Sequence, residues 1–237
     1  MEKNKTGRYL KYAIGEILLV VVGIVIALQI NNWNTNRVDE TNRTNYYKRI
    51  IVELDEETEA AMWIKVDIDS LIYKNKSALK IMESKNTDSI PVFKNLLGAT
   101  ATFWDVEYHF PILKEFINQN HLSKMKNDTL KMDFEYLSRL LRRAEIQQDY
   151  NETQYVNTIE PFFIKHINYS EVALPNYRKS LIQGGPSSNY EALLTNLELW
   201  NIITFKLESL TNESLSLESS IIDFKIIKER VEKELEK

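Results

Sequence analysis

Three histidines, a close pair of aspartates and one glycine-rich turn are the features of this sequence whose residue types and spacing could do chemistry. His109, His121 and His166 could ligate a metal or move protons. None has a histidine four residues away or a Glu-x-x-His partner, the spacings that place two ligands on one helix face. They read as ordinary surface or half-buried side chains. Asp67-x-Asp69-Ser70 opens like a calcium loop but lacks the glycine and bidentate glutamate that complete one. Gly184-Gly185-Pro186-Ser187-Ser188 precedes a helix and could offer backbone N–H groups to an anion. It has neither the lysine nor the spacing of a phosphate loop, so it reads as a turn and cap. There is no Gly-x-Ser-x-Gly elbow, and no cysteine to supply a nucleophile, a disulfide or a zinc–thiolate site. The expectation is a non-enzyme with no cofactor and no metal.

Glu16 is the sharpest single residue, because it lies at the edge of a strongly apolar stretch. A carboxylate there is costly unless it faces protein, headgroups or water. At helical spacing Glu16, Val20, Gly23, Ala27 and Ile30 share a face, and Gly23-x-x-x-Ala27 is a small-residue step that lets two membrane helices approach closely. Two readings stay open: this face packs on another helix with Glu16 hydrogen-bonded there, or Glu16 sits among the headgroups. Gln29, Asn31 and Asn32 at the far boundary could likewise bond between helices or form an interfacial collar with Trp33.

The stretch that positions Glu16 is residues 11–34, KYAIGEILLVVVGIVIALQINNWN. Residues 17–28 are an unbroken apolar run, too short alone, but residues 12–33 make about 33 Å of helix against a hydrocarbon core of about 30 Å. Tyr12 and Trp33 are amphipathic rings suited to the two interfaces. Lys3, Lys5, Arg8 and Lys11 give residues 1–11 a net charge of +3, which favours a cytoplasmic N-terminus and an exported remainder. A cleaved signal peptide is the competing reading, with residues 25–27 as a passable site. The long basic start, Glu16 and the helical pattern running on to Trp33 favour a retained anchor. The expected organisation is a cytoplasmic tail (1–11), a transmembrane helix (12–33) and an extracytoplasmic helical domain (34–237) in a bacterial inner membrane, with a periplasmic body. The whole chain is −4, so residues 12–237 carry −7, which offers no basic footprint for nucleic acid.

Periodicity beyond the anchor is helical. From Tyr46 to about Met82, steps of three and four visit Ile50, Leu54, Glu57, Ala61, Ile64 and Ile68, then Leu71, Asn75, Ala78 and Met82. Thr41, Asn42 and Asn45 stand as start signals, and residues 86–88 end the segment. The acid run at 53–59 reads as the solvated face of this helix, or as a surface for a basic partner. A last helix of roughly 45 residues follows the cap residues Ser187, Ser188 and Asn189, with Ser214 the only polar residue on its apolar face and a break conceivable at 212–216. Shorter pieces lie between: one from Pro111 to Gln119, one capped by Asn127 or Asp128 with Leu130, Phe134, Leu137 and Leu141 inward, and one bent or restarted at Glu160-Pro161. Residues 102–110 are the one extended candidate. Phe103, Trp104, Tyr108 and Phe110, with Trp63, read as a core cluster or as a partner-binding patch. The fold class is all-α: one N-terminal transmembrane helix, then an elongated helical bundle or coiled domain framed by two long helices.

At Lys11-Tyr12-Ala13-Ile14-Gly15-Glu16, the apolar run, and Ala27-Leu28-Gln29-Ile30-Asn31-Asn32-Trp33-Asn34, the chain resembles a widespread bacterial family of membrane-anchored proteins of unassigned function. A weaker likeness covers Phe116-Ile117, Leu122, Met125-Lys126-Asn127 and Leu130, where the family has Ser-Ser-Gly in place of Asn118-Gln119-Asn120. Asn120 can still take the left-handed conformation that a glycine would supply. The resemblance implies an anchored helical protein and no catalytic residue. The expected function is that of a scaffold or accessory subunit of an envelope membrane complex, touching membrane lipid and either a second copy or other membrane proteins. The alternatives are an extracytoplasmic sensory or ligand-binding module, and a membrane oligomer using Glu16 in a pore or proton path.

Overall fold

The computed structural model describes residues 13–237 in full and residues 3–12 as backbone; the tail 1–11 and the ring of Tyr12 lie outside the fully described residues. Every regular element among the described residues is helical. The chain divides into two compact units, Met1–Arg49 and Ile50–Lys237.

In the first unit the chain is part of α1, Lys3–Ser84. Its large aliphatic side chains from Ile14 to Ile30 are 46–74 % exposed, and α1 is the one helix among the described residues long and apolar enough to cross a membrane. Thr41, Asn42 and Asn45 do not start a new helix, contrary to expectation. Thr41 Oγ1 donates back to the Arg37 carbonyl at 3.0 Å, and Glu40 pairs with Arg43 along the helix, so these polar residues are absorbed into the ladder.

The second unit is built on three long helices. Residues 50–84 of α1 bury the expected face, including Glu57 and Asn75. The 39-residue α9, Leu197–Leu235, runs antiparallel to it, with Ser214 Oγ on Asp69 at 2.6 Å and Lys228 Nζ on Asp55 at 2.7 Å. The 27-residue α4, Asp128–Gln154, is the third, so the frame of two long helices is corrected to three. It is also antiparallel to α9: Asn127–Glu234, Asp133–Arg230, Tyr136–Asp223 and Asn151–Glu213 succeed one another down the pair. Asn127 caps α4 by accepting from Leu130 N at 3.2 Å.

The segment restarts at Glu160-Pro161, as one of the two expectations had it, and the chain stays helical across the junction. A wide π turn, Tyr155–Ile159, joins α4 to α5, Glu160–His166. Proline has no N–H and its ring crowds the carbonyl four residues back, here Asn157, and the wider turn accommodates both. Short helices complete the unit: α2 (Ile90–Leu97), α3 (Pro111–Asn118), α6 (Tyr169–Val172), α7 (Pro175–Arg178) and α8 (Tyr190–Leu193). The last long helix breaks at Asn196, whose side chain accepts from Leu199 N at 2.8 Å to start α9; residues 212–216 are unbroken helix. Residues 102–110 pair with no strand. Alternate side chains are nevertheless buried, Val106, Tyr108 and Phe110, with both rings edge-on to Phe224.

Glu53 corrects the reading of the acid run as uniformly solvated. It is buried, and its carboxylate accepts from the backbone N–H groups of Ile112 and Leu113. The first turn of α3 has no side-chain cap of its own, so α1 supplies the anion that its N-terminus attracts.

Gly98, at the end of α2, has an ordinary φ, and it is glycine because of close approach. A Cβ there would lie 2.2 Å from the Val172 carbonyl oxygen and 3.0 Å from Leu174 N, both backbone atoms. Gly98→Ala is therefore expected to destabilise the second unit by about 2–4 kcal/mol. Gly23→Ala, with nothing within 4 Å of its Cβ, should leave thermal melts in mild detergent unchanged or slightly raised.

Candidate functional site

Glu16, Val20, Gly23 and Ala27 are all exposed on α1, and the i, i+4, i+7, i+11 spacing keeps them on one helix face. Trp33, 64 % exposed, carries the Arg37 guanidinium over its ring at 5.5 Å.

The aromatic residues that the sequence groups together separate in the structure. Tyr108 and Phe110 are core, whereas Trp63 stands 75 % exposed on α1. Met62 and Val66 flank it within one turn, both exposed, and Val52 and Tyr73 extend the stripe at seven-residue steps through Glu59 and Val66. The Ser214–Asp69 and Lys228–Asp55 contacts place the exposed Ile222 of α9 level with Met62. Exposed apolar side chains are common singly; Met62, Trp63 and Val66 place three large ones within about one helical turn.

A second site lies between α4 and α9, closed on one side by the 102–110 segment: a cleft of about 250 Å³. Its floor is buried, with Val106, Tyr108, Glu213, Leu217 and Ser220; its rim carries Arg143, Asn212, Ser216 and Ser219 in contact with solvent. Helical spacing explains the convergence. Arg143 and Gln147 are one turn apart on α4, and Glu213, Ser216, Leu217 and Ser220 are successive residues of one α9 face. Polar side chains fix the floor. Gln147 Nε2 donates to Asn151 Oδ1 at 3.1 Å, and Asn151 Nδ2 donates to Glu213 Oε2 at 3.0 Å. Tyr136 donates to Asp223 at 2.6 Å; burial first, then that carboxylate, pushes its phenol up to about 12.

Burial raises the Glu213 carboxyl to about 7, against the opposing pull of Lys206 and the Asn151 hydrogen bond. Lys206, two turns away on the same face of α9, is also buried, and burial lowers its amine to about 8. Sequence reasoning missed both. They fall beside the expected apolar stripe of the last helix, and Glu213 is met on that flank by Asn151 of α4. The expected stripe is buried at Ile203, Leu210, Ser214, Leu217, Phe224, Ile227 and Val231 and fails only at its start, where Leu197 is 71 % exposed while Leu199 and Ile202 are buried.

The remaining candidates stay apart. His121 stacks on Phe116 at 5.1 Å, the His166 ring lies tilted against Phe162 at 4.7 Å, and His109 is exposed. Asp69 is engaged by Lys65 and Ser214, and among the described residues no group of three or more acidic or histidine side chains could hold a metal. In the glycine turn, Gly184 and Gly185 adopt positive φ, and the carbonyls of Gly184 and Pro186 accept from Asn168 at 2.9 and 3.0 Å. That is a tied turn, with Asn189 capping α8 behind it. Asn120 is left-handed as expected, with φ of 59°. The class these features define is a helical protein with one span-length apolar helix. No family model, no curated protein and no solved structure matches the chain.

Because its folded value lies above the ordinary 4.5, Glu213 favours the folded state while protonated; that contribution is complete below about pH 4.5 and is lost as pH rises through 7. Glu213→Gln removes the titration. From pH 4.5 to 7.5 the variant should gain stability relative to the parent by on the order of 2–3 kcal/mol, read from paired thermal melts.

Proposed function

We propose that this chain is a single-pass, membrane-anchored helical protein that works by association, as a scaffold or accessory subunit of an envelope membrane complex. Residues 12–33 sit in the lipid of a bacterial inner membrane, with the basic tail in the cytoplasm and the helical unit on the periplasmic side. The resemblance of residues 11–34 to a family of anchored proteins agrees with this placement. No catalysis is assigned to the chain.

The strip centred on Trp63 carries the reading. Tryptophan is the residue type most concentrated at binding hot spots, and here it is three-quarters exposed between two further large apolar side chains. Desolvating Met62, Trp63 and Val66 against a partner stabilises contact by about 25 cal/mol per Å² of apolar surface covered. Within the membrane the Glu16, Val20, Gly23 and Ala27 face provides a second, lateral contact through close helix approach.

The chain has no cysteine, so single cysteines at Gly23 or Val66 report on these surfaces without background. Oxidative cross-linking in native membranes is expected to trap a dimer or a defined hetero-complex from each. Trp63→Ala should weaken the association at least tenfold in mild-detergent mass measurements. A monomer without companions in both assays would refute the proposal.

A further inference from the structure

We infer that the cleft between α4 and α9 binds a small α-amino acid with an apolar side chain, its ammonium group on Glu213 and its carboxylate on Arg143. The volume, about 250 Å³, is worth about eight waters at ~30 Å³ each and lies below the range of drug-sized pockets, so the ligand is a small metabolite. The chemistry of the lining narrows it further.

Glu213 is a buried acid on the floor, and Asn151 fixes one of its oxygens. Asn151 is held in turn by Gln147, so the carboxylate is oriented before any ligand arrives. Arg143 is on the rim, exposed, with no ion-pair partner among the described residues. Its planar fork matches a carboxylate in two parallel hydrogen bonds. Arg143 on the rim and Glu213 on the floor of one small cleft complement a molecule carrying both charges, while Lys206, which also acts on Glu213, lies outside the cleft lining. A simple anion would satisfy Arg143 and leave Glu213 without a donor, and a simple amine would do the reverse. The other acids and phenols nearby are already engaged: Tyr136 holds Asp223, Gln148 donates to Asp105, and Tyr108 is hydrogen-bonded with Ser220. Between the charged ends, Val106, Leu140, Ala144 and Leu217 form an apolar wall for the side chain.

The test uses the full chain in mild detergent with L-leucine as probe, followed by calorimetric titration and thermal melting. Saturable binding and a rise in melting temperature of at least 2 °C are expected. Two analogues each lack one charge: 4-methylpentanoate has no ammonium, and 3-methylbutylamine has no carboxylate. Both should bind at least tenfold more weakly. Arg143→Gln and Glu213→Gln should each weaken L-leucine at least tenfold, and Leu140→Trp, which fills the cleft, should abolish it. Arg143 is a solvent-exposed rim residue, so its variant tests recognition without endangering the fold. No saturable binding of L-leucine would overturn the inference. So would equal affinity for either analogue, or Arg143→Gln binding like the parent. Association through Trp63 is measured separately, so either proposal can fail alone.

Discussion

The register between α9 and its two long neighbours is the constraint on which the second unit depends. Apolar contact alone would tolerate a slip of one helical turn, about 5.4 Å, because leucines and phenylalanines are replaced by similar residues one turn on. Polar pairs do not tolerate it. Asn151 with Glu213 and Tyr136 with Asp223 tie α4 to α9, and Ser214 with Asp69 ties α9 to α1. Sliding the Asn151–Glu213 pair would leave a buried donor and acceptor unmet, at a cost of about 1–3 kcal/mol each, and would strand the buried Ser214 hydroxyl. The cleft is a product of the same register, since Arg143 and Glu213 face one space only while these bonds hold.

Longer-range polar contacts extend this logic to the short elements. Glu53 reaches from α1 to the start of α3, a separation of about sixty residues. Asn75 Oδ1 accepts from Thr100 Oγ1 at 2.8 Å while its amide donates to the Leu71 carbonyl, so a fully buried amide is satisfied on both sides. With few bulky residues in the segment after α2, the chain relies on Gly98 to let backbone meet backbone there.

Much of this was legible from residue spacing and some was not. The buried face of α1, the Asn127 cap, the start of α3 at Pro111 and the left-handed Asn120 all follow from local rules that act within one or two turns. Failures arose where tertiary packing chose between local options. Asn196 rather than Ser187–Asn189 starts the last long helix, because α8 and α9 bury different faces, Tyr190 and Leu193 against Leu199 and Ile202. Glu53, Lys206 and Glu213 look like solvated charges in a sequence; the folded unit buries all three. Trp63 shows the converse, an aromatic residue that the sequence leaves open between core and partner-binding patch and that stands 75 % exposed.

The π turn at Tyr155–Ile159 resolves a mismatch of angular phase that no ordinary helix could. Asn151, Tyr155, Ile159, Phe163 and Ile167 recur at steps of four, and each such step overshoots a 3.6-residue turn by about 40°. Carried through an unmodified helix, that overshoot would rotate Phe163 away from the interior reached by Asn151. One underwound turn works like a vernier, cancelling the accumulated rotation so that both ends of the helical run keep facing inward. Asn151 and the Phe162–Phe163 pair can therefore serve two different neighbourhoods, a polar cleft and an apolar core, along a single continuous strut.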